Sequence, residues 1–232
     1  MAVASMNKQG AGLHIDVYSD VICPWCYIGK RRLERALDQL SGAAQAKIIW
    51  RPFQLNPTMP KEGVDRTTYL EAKFKSLDAF RQLEEHVLAA GAAEHIPFAF
   101  EKAARSPNTY LAHRLIWYAE QQGRQEAVVE SLFRGYFVEG ADIGMPSTLV
   151  QLADRSGLSV EAVERFLQSD VGTEEVKAEQ AAGHRLGIRG VPYFVLNRAP
   201  GISGAQPVDV FVSAIEKVLN HMSGAAEGLT RR

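Results

Sequence analysis

The sequence predicts an α/β fold in which a βαβ unit at the start and a ββα unit at the end enclose a long block of helices. Three observations lead there. Residues 13–18 (LHIDVY) alternate apolar and polar side chains, as a half-buried strand does, and run straight into the stretch DVICPWCYIGK. Residues 57–187 then repeat helix start and stop signals, with glycine closing most segments. After Gly187 a short apolar strand pattern returns in YFVLN.

Leu13, Ile15 and Val17 share one face of the first strand. The next helix opens at the cysteines: Cys26, the stem of Lys30, Leu33, Leu37 and Leu40 recur at spacings of three and four, and Ser41-Gly42 supplies a stop. Residues 47–55 (KIIWRPFQL) read as a second strand, and Pro52, with no N–H to give to a ladder, places it at an edge or a bulge. Helices are predicted over 76–91, over 106–123 with Ser106 as N-cap and Pro107 at N1, and over 124–140, 147–157, 159–168 and 173–187. In the last of these, Glu174 and Glu175 open the helix and His184 and Arg185 close it, as the helix dipole favours. Strands at 193–197 and 202–204 flank a turn through Arg198, Ala199, Pro200 and Gly201. A closing helix over 208–222 carries Val208, Phe211, Val212, Ile215, Val218 and Leu219 as its apolar stripe, and the tail SGAAEGLTRR reads as frayed.

The chain has 232 residues, 46% of them hydrophobic, and 26 basic against 27 acidic side chains give a net charge of −1. That length and composition allow a core without disulfide staples. The balanced charge offers no long-range field for nucleic acid or an anionic membrane. The opening MAVASMNKQGAGLH lacks the apolar segment of a secretory signal and no later run reaches membrane-span length, so the expected location is the cytoplasm. Purely structural disulfides are rare there, so two cysteines at C-x-x-C spacing point to redox chemistry or to metal binding.

The proline between them marks a helix start. With Cys23 at the N-cap, Pro24 falls near N1, where its missing N–H costs nothing and its fixed φ is already helical. Unpaired N–H groups and the positive end of the dipole then favour a thiolate at Cys23 and lower its pKa, which makes Cys23 the nucleophile. Cys26, one turn up and less exposed, is the resolving thiol. An inert buried pair is the blander reading. A tetrahedral zinc site needs four ligands, but no second cysteine pair exists and the six histidines are scattered singly, so no metal is expected. His14, His86, His95, His113 and His221 read as solvated or satisfied by backbone.

A distant stretch, GIRGVPYFVLN, sets Pro192 directly before a strand, which suits a tight loop and a cis Val191-Pro192 bond. Asp20, three residues before Cys23, is a candidate either to cap the turn or to assist proton transfer from Cys26. Arg189, three residues before Pro192, either turns toward the cysteines or stays solvated. Asn56 and Asn108, each beside a proline, fit turn chemistry. Trp50, Phe53, Phe98, Phe100, Trp117, Phe133, Tyr136 and Phe137 read as packing, with Phe53 and Trp25 also candidates for the floor of an apolar groove.

The sequence resembles the DsbA-like branch of the thioredoxin superfamily, and within it the FrnE-type dithiol–disulfide isomerases. The residues that carry the likeness are DVICPWCYIGK, WRPFQLNPTMPKEG, SPNTYLAHRL, YFVEGADI, GIRGVPYFVLN and the glycine, alanine and glutamine of GISGAQPVDVF. The resemblance implies a discontinuous thioredoxin-like domain over 12–56 and 188–222, a helical insertion over 57–187, and tails at 1–11 and 223–232. It implies Cys23 as attacking and Cys26 as resolving cysteine, Pro24 and Trp25 as the active-site dipeptide, and Val191 and Pro192 as a loop pairing with the main chain of a bound thiol substrate. Trp25 stands where many oxidising relatives have histidine, so the expected couple lies between roughly −270 and −120 mV. The implied activity is thiol–disulfide exchange with a protein or small molecule, with no metal or organic cofactor, glutathione as a candidate co-substrate, and a homodimer compatible with the apolar insertion. Two alternatives stand beside it. One is a glutathione-dependent isomerase or kappa-class-like transferase, relatives that place serine where Cys23 stands. The other is a non-catalytic binding protein or holdase.

Overall fold

The computed structural model describes residues 12–40, 46–74, 77–198 and 201–229. The expected stop at Ser41-Gly42, the helix start at Ser76, Ala199 and Pro200 of the turn, the 1–11 tail and residues 230–232 lie outside them. The opening unit is β1 (Leu13–Ser19), α1 (Pro24–Gln39) and β2 (Ala46–Pro52). The middle holds β3 (Val64–Asp65), α2 (Arg66–Phe74), α3 (Leu77–Ala93), β4 (Arg105–Ser106), α4 (Tyr110–Gln121), α5 (Gln125–Phe137), α6 (Pro146–Arg155), α7 (Val160–Gln168) and α8 (Thr173–Arg185). The closing unit is β5 (Tyr193–Leu196), β6 (Ile202–Ser203) and α9 (Val208–Leu229).

The main sheet runs β2-β1-β5-β6, with β2 parallel to β1 and the other pairs antiparallel. Register sorts the side chains. Ile15 opposes Leu196 and Val17 opposes Phe194, so these four share the face on which α1 and α9 pack, and Phe194 meets Phe211 of α9 edge-on at 4.8 Å. Tyr18 points to the opposite face, where a Cβ on Gly183 of α8 would stand 2.8 Å from its ring. β2 is an edge strand ending at Pro52, as the missing N–H requires. The Gln125 side chain covers that edge, accepting from the Trp50 N–H at 2.9 Å and donating to the Trp50 carbonyl at 3.1 Å.

Four departures from the sequence expectation have physical causes. Pro107 disfavours helical backbone at the residue before it, so Ser106 is extended and pairs with Val64 instead of capping α4. That helix begins at Tyr110, and Asn108 accepts from the Tyr110 N–H at 2.9 Å. The segment 57–187 therefore also holds a two-stranded ribbon, β3 with β4. The helix α2 was not expected: it buries no residue, so it shows no core-facing stripe. Finally, α9 runs on to Leu229, through much of the tail read as frayed.

Candidate active site: a cysteine pair at a helix start

Cys23 is the N-cap of α1, with extended backbone (φ −94°, ψ 111°) and Pro24 in the first turn. Its N–H donates to the Asp20 carbonyl at 3.0 Å, and its carbonyl accepts from the Cys26 N–H at 3.0 Å. The two thiols are free and sit one helical turn apart, Cys23 5% exposed and Cys26 fully buried. Burial, reinforced by the neighbouring Cys23, pushes the Cys26 thiol well above its ordinary pKa, and the Ser19 hydroxyl and the Asp20 backbone only partly oppose this. Cys26 is thus held protonated while Cys23 faces the open side.

The Val191-Pro192 loop meets the pair. Its peptide bond is cis, and the Cys23 Sγ lies 3.6 Å from the Val191 carbonyl oxygen, which accepts from it. The Gly204 N–H donates to the Pro192 carbonyl at 2.8 Å, which ties the loop to the end of β6. Gly29 lets α1 approach: a Cβ there would stand 3.1 Å from the Pro192 ring and 3.0 Å from Phe194. Residues 168 positions apart in sequence are brought together in this way.

Two networks fix α1 above the cysteines. Lys30, 3% exposed, reaches Glu126 at 2.7 Å and Glu130 at 2.9 Å on α5, and Glu34 on its own helix. Burial alone would lower the pKa of the ammonium, but these carboxylates outweigh it, raise the pKa and hold the group charged. Glu94 binds Arg32 at 2.9 Å and Arg35 at 2.7 Å, joining α1 to the segment after α3.

Asp20 does not cap α1, whose N-cap receives no side-chain hydrogen bond. Its carboxylate is fully buried, accepts from the Leu55 N–H at 2.7 Å, and faces His113 Nε2 at 3.4 Å. His113, read from sequence as solvated or satisfied by backbone, is instead 2% exposed and forms this buried pair from α4. A single unpatterned histidine on a helix gave no sign of it. Arg189 is exposed, and no contact among the described residues ties it to the cysteines. Phe53 forms no groove floor; it packs with Tyr18 and Ile188 on the α8 face of the sheet.

Beside Cys23 lies a cavity of about 820 Å³. Cys23, Pro24 and Trp25 form one wall, α2 and α3 the facing wall through Leu70, Phe74, Phe80 and Leu83, and Phe100, Tyr136 and Phe137 the floor. Those three floor aromatics were expected only to pack. Among the described residues no group of three or more His, Cys, Asp or Glu side chains could hold a metal ion, and no helix is long and apolar enough to cross a membrane.

Comparison with known proteins accords with this geometry. The chain is 34% identical to the probable DsbA oxidoreductase SCO1869 from Streptomyces coelicolor, whose crystal structure matches with a TM-score of 0.80 over 91% of this chain and 90% of that one. The cytosolic disulfide reductase DsbM from Pseudomonas aeruginosa, solved with GSH, shares the fold at 18% identity and a TM-score of 0.63, over 89% of this chain and 99% of its own. The uncharacterized protein YwbO of Bacillus subtilis (strain 168) is 27% identical over 207 residues, 88% of this chain and 96% of that one. Residues 14–216 match the family model of the DSBA-like thioredoxin domain, and the chain belongs to that family.

Proposed function

We propose that the protein is a thiol–disulfide oxidoreductase working through a mixed disulfide at Cys23 that Cys26 resolves. The observation that carries this reading is the placement of two free thiols at one helix start, the outer one 3.6 Å from the Val191 carbonyl and the inner one fully buried. A helix N-terminus is where a sulfur anion is best stabilised, so the outer thiol is suited to attack. The Cys23 sulfur displaces one thiolate from a substrate disulfide. Cys26 then loses its proton, attacks the Cys23 sulfur and releases the second thiol, leaving the Cys23–Cys26 disulfide. Because burial holds the Cys26 proton tightly, the second release lags the first and quickens as pH rises. Two glutathione-type thiols, leaving as their own disulfide, return the pair to the dithiol form, which suits a cytoplasmic setting, and the same exchange run through mixed disulfides supports isomerisation. A serine at position 23 would favour the glutathione-dependent isomerases of this fold; the retained cysteine favours exchange.

The test is a redox titration in glutathione buffers of graded ratio, with free thiols counted by alkylation. A two-electron transition between roughly −270 and −120 mV that vanishes in Cys23→Ser is the expected result. Cysteines that remain reduced at every ratio would sink the reading.

A further inference from the structure

The cavity beside Cys23 has a chemistry that discriminates between substrates. Its volume, about 820 Å³, lies in the range of small-molecule sites, roughly 300–1,000 Å³. Its walls are mostly apolar, and Trp25, Leu55 and Leu83, which are 37%, 41% and 51% exposed, show hydrophobic surface at its mouth. Surface of that kind gains by being covered.

The charges on the wall are largely committed. Arg66 pairs with Glu84 at 3.3 Å and lies over the rings of Phe80 and Phe100 at 5.8 and 5.5 Å. Lys73 lies over Tyr69 and Phe74 at 5.4 and 5.5 Å, with no ion pair among the described residues. The Tyr136 hydroxyl donates to the Arg105 carbonyl at 3.3 Å. A peptide entering this space would bring an N–H and a C=O with every residue, more than Tyr69, Lys73, His86 and Ser106, the remaining polar side chains of the wall, could pair. A compact apolar body brings no such demand.

We propose that the disulfide taken up at Cys23 is carried by a small, largely apolar organic molecule with an aromatic body, seated between the start of α1 and the α2–α3 pair. This rests on the oxidoreductase reading and narrows its substrate. The balance is that of exchange: the Cys23 sulfur bonds one substrate sulfur as the substrate S–S bond breaks and one thiolate leaves. Cys26 gives up its proton and completes the internal disulfide as the second thiolate leaves. Two electrons pass from the protein dithiol to the substrate, and two glutathione-type thiols, leaving as their own disulfide, restore the dithiol.

The experiment is a single-turnover comparison of the reduced full chain with three disulfides: 4,4′-dithiodipyridine, hydroxyethyl disulfide and a disulfide-bonded peptide. Each rate is divided by the rate of dithiothreitol with the same disulfide, which removes the intrinsic reactivity of the leaving group. The normalised preference for dithiodipyridine over hydroxyethyl disulfide is expected to be at least about tenfold and to fall by about tenfold in Phe80→Ala. Leu83→Ser, at a half-exposed position where folding should be little affected, is expected to lower the same ratio. Equal normalised rates, or a preference unmoved by both variants, would overturn the small-molecule assignment while leaving the oxidoreductase reading intact. A preference for the peptide would overturn it in favour of a protein substrate. If Cys23→Ser reacts as fast as the unaltered chain with all three, both readings fail.

Discussion

Replacing Gly29 by alanine sets two effects against each other, and the structure says which wins. In a helix interior alanine is favoured over glycine by about 0.5–1 kcal/mol. The new Cβ, however, would stand 3.0 Å from Phe194 Cζ, 3.1 Å from Pro192 Cγ and 3.5 Å from Ala205 Cβ. Phe194 is fully buried and held edge-on by Phe211, and the Pro192 ring belongs to a loop anchored at Gly204, so neither yields freely. Overpacking of this kind costs about 1–3 kcal/mol, leaving a net loss of up to about 2 kcal/mol. The midpoint of thermal unfolding should fall by up to about 8 °C, at about 2–4 °C per kcal/mol for a chain of this length. The larger consequence is for exchange. Pro192 follows the residue whose carbonyl touches the Cys23 sulfur, so any retreat of the ring widens that gap. A 1 Å misplacement costs about 100-fold, so a displacement of a few tenths of an ångström should slow exchange by about threefold to tenfold. Gly183→Ala is the control: its Cβ would meet the Tyr18 ring at 2.8 Å on the other face of the sheet, which should lower stability without slowing exchange. A Gly29→Ala protein more stable than the parent, with an unchanged exchange rate, would refute the reasoning.

Further consequences follow from the buried polar groups. Asp20→Ala leaves the Leu55 N–H without its acceptor and takes away the carboxylate facing His113 in a closed site, and should cost about 1–3 kcal/mol in urea unfolding; an unaltered midpoint would show that water replaces the carboxylate. Lys30→Met removes the cation shared by Glu34, Glu126 and Glu130, of which Arg31 still pairs with Glu34 and Glu130, and should cost about 1–3 kcal/mol in urea unfolding; an unaltered midpoint would show that Arg31 and solvent satisfy all three carboxylates. Burial raises the Tyr136 hydroxyl from 10.0 to about 12. A folded-state value above the unfolded one means stability is intact below pH 10 and is lost as pH climbs to about 12. That loss is about 3 kcal/mol at about 1.4 kcal/mol per pH unit, and Tyr136→Phe should remove it from the alkaline unfolding curve.

The sequence revealed the cysteine half of the candidate site more completely than the cavity half, and the reason is physical. Cys23, Pro24 and Cys26 declare themselves locally, because the N-cap, the N1 proline and the one-turn spacing are all read within four residues. Core faces declare themselves by period, as with Leu13, Ile15 and Val17 in β1, because burial imposes the repeat. The cavity wall obeys neither rule. Its helix α2 buries none of its residues, and Leu83 is half exposed, so no stripe separates an inside from an outside. Side chains kept clear of the core to meet a ligand look in sequence like surface residues that happen to be hydrophobic. His113 was hidden for the converse reason: its partner Asp20 is 93 positions earlier, and neither residue's neighbours record the pairing. A periodicity search finds what the fold covers with itself. The apolar positions on α2 and α3 that it leaves unexplained are therefore where a covering molecule should be sought, and here they line the same cavity as Cys23.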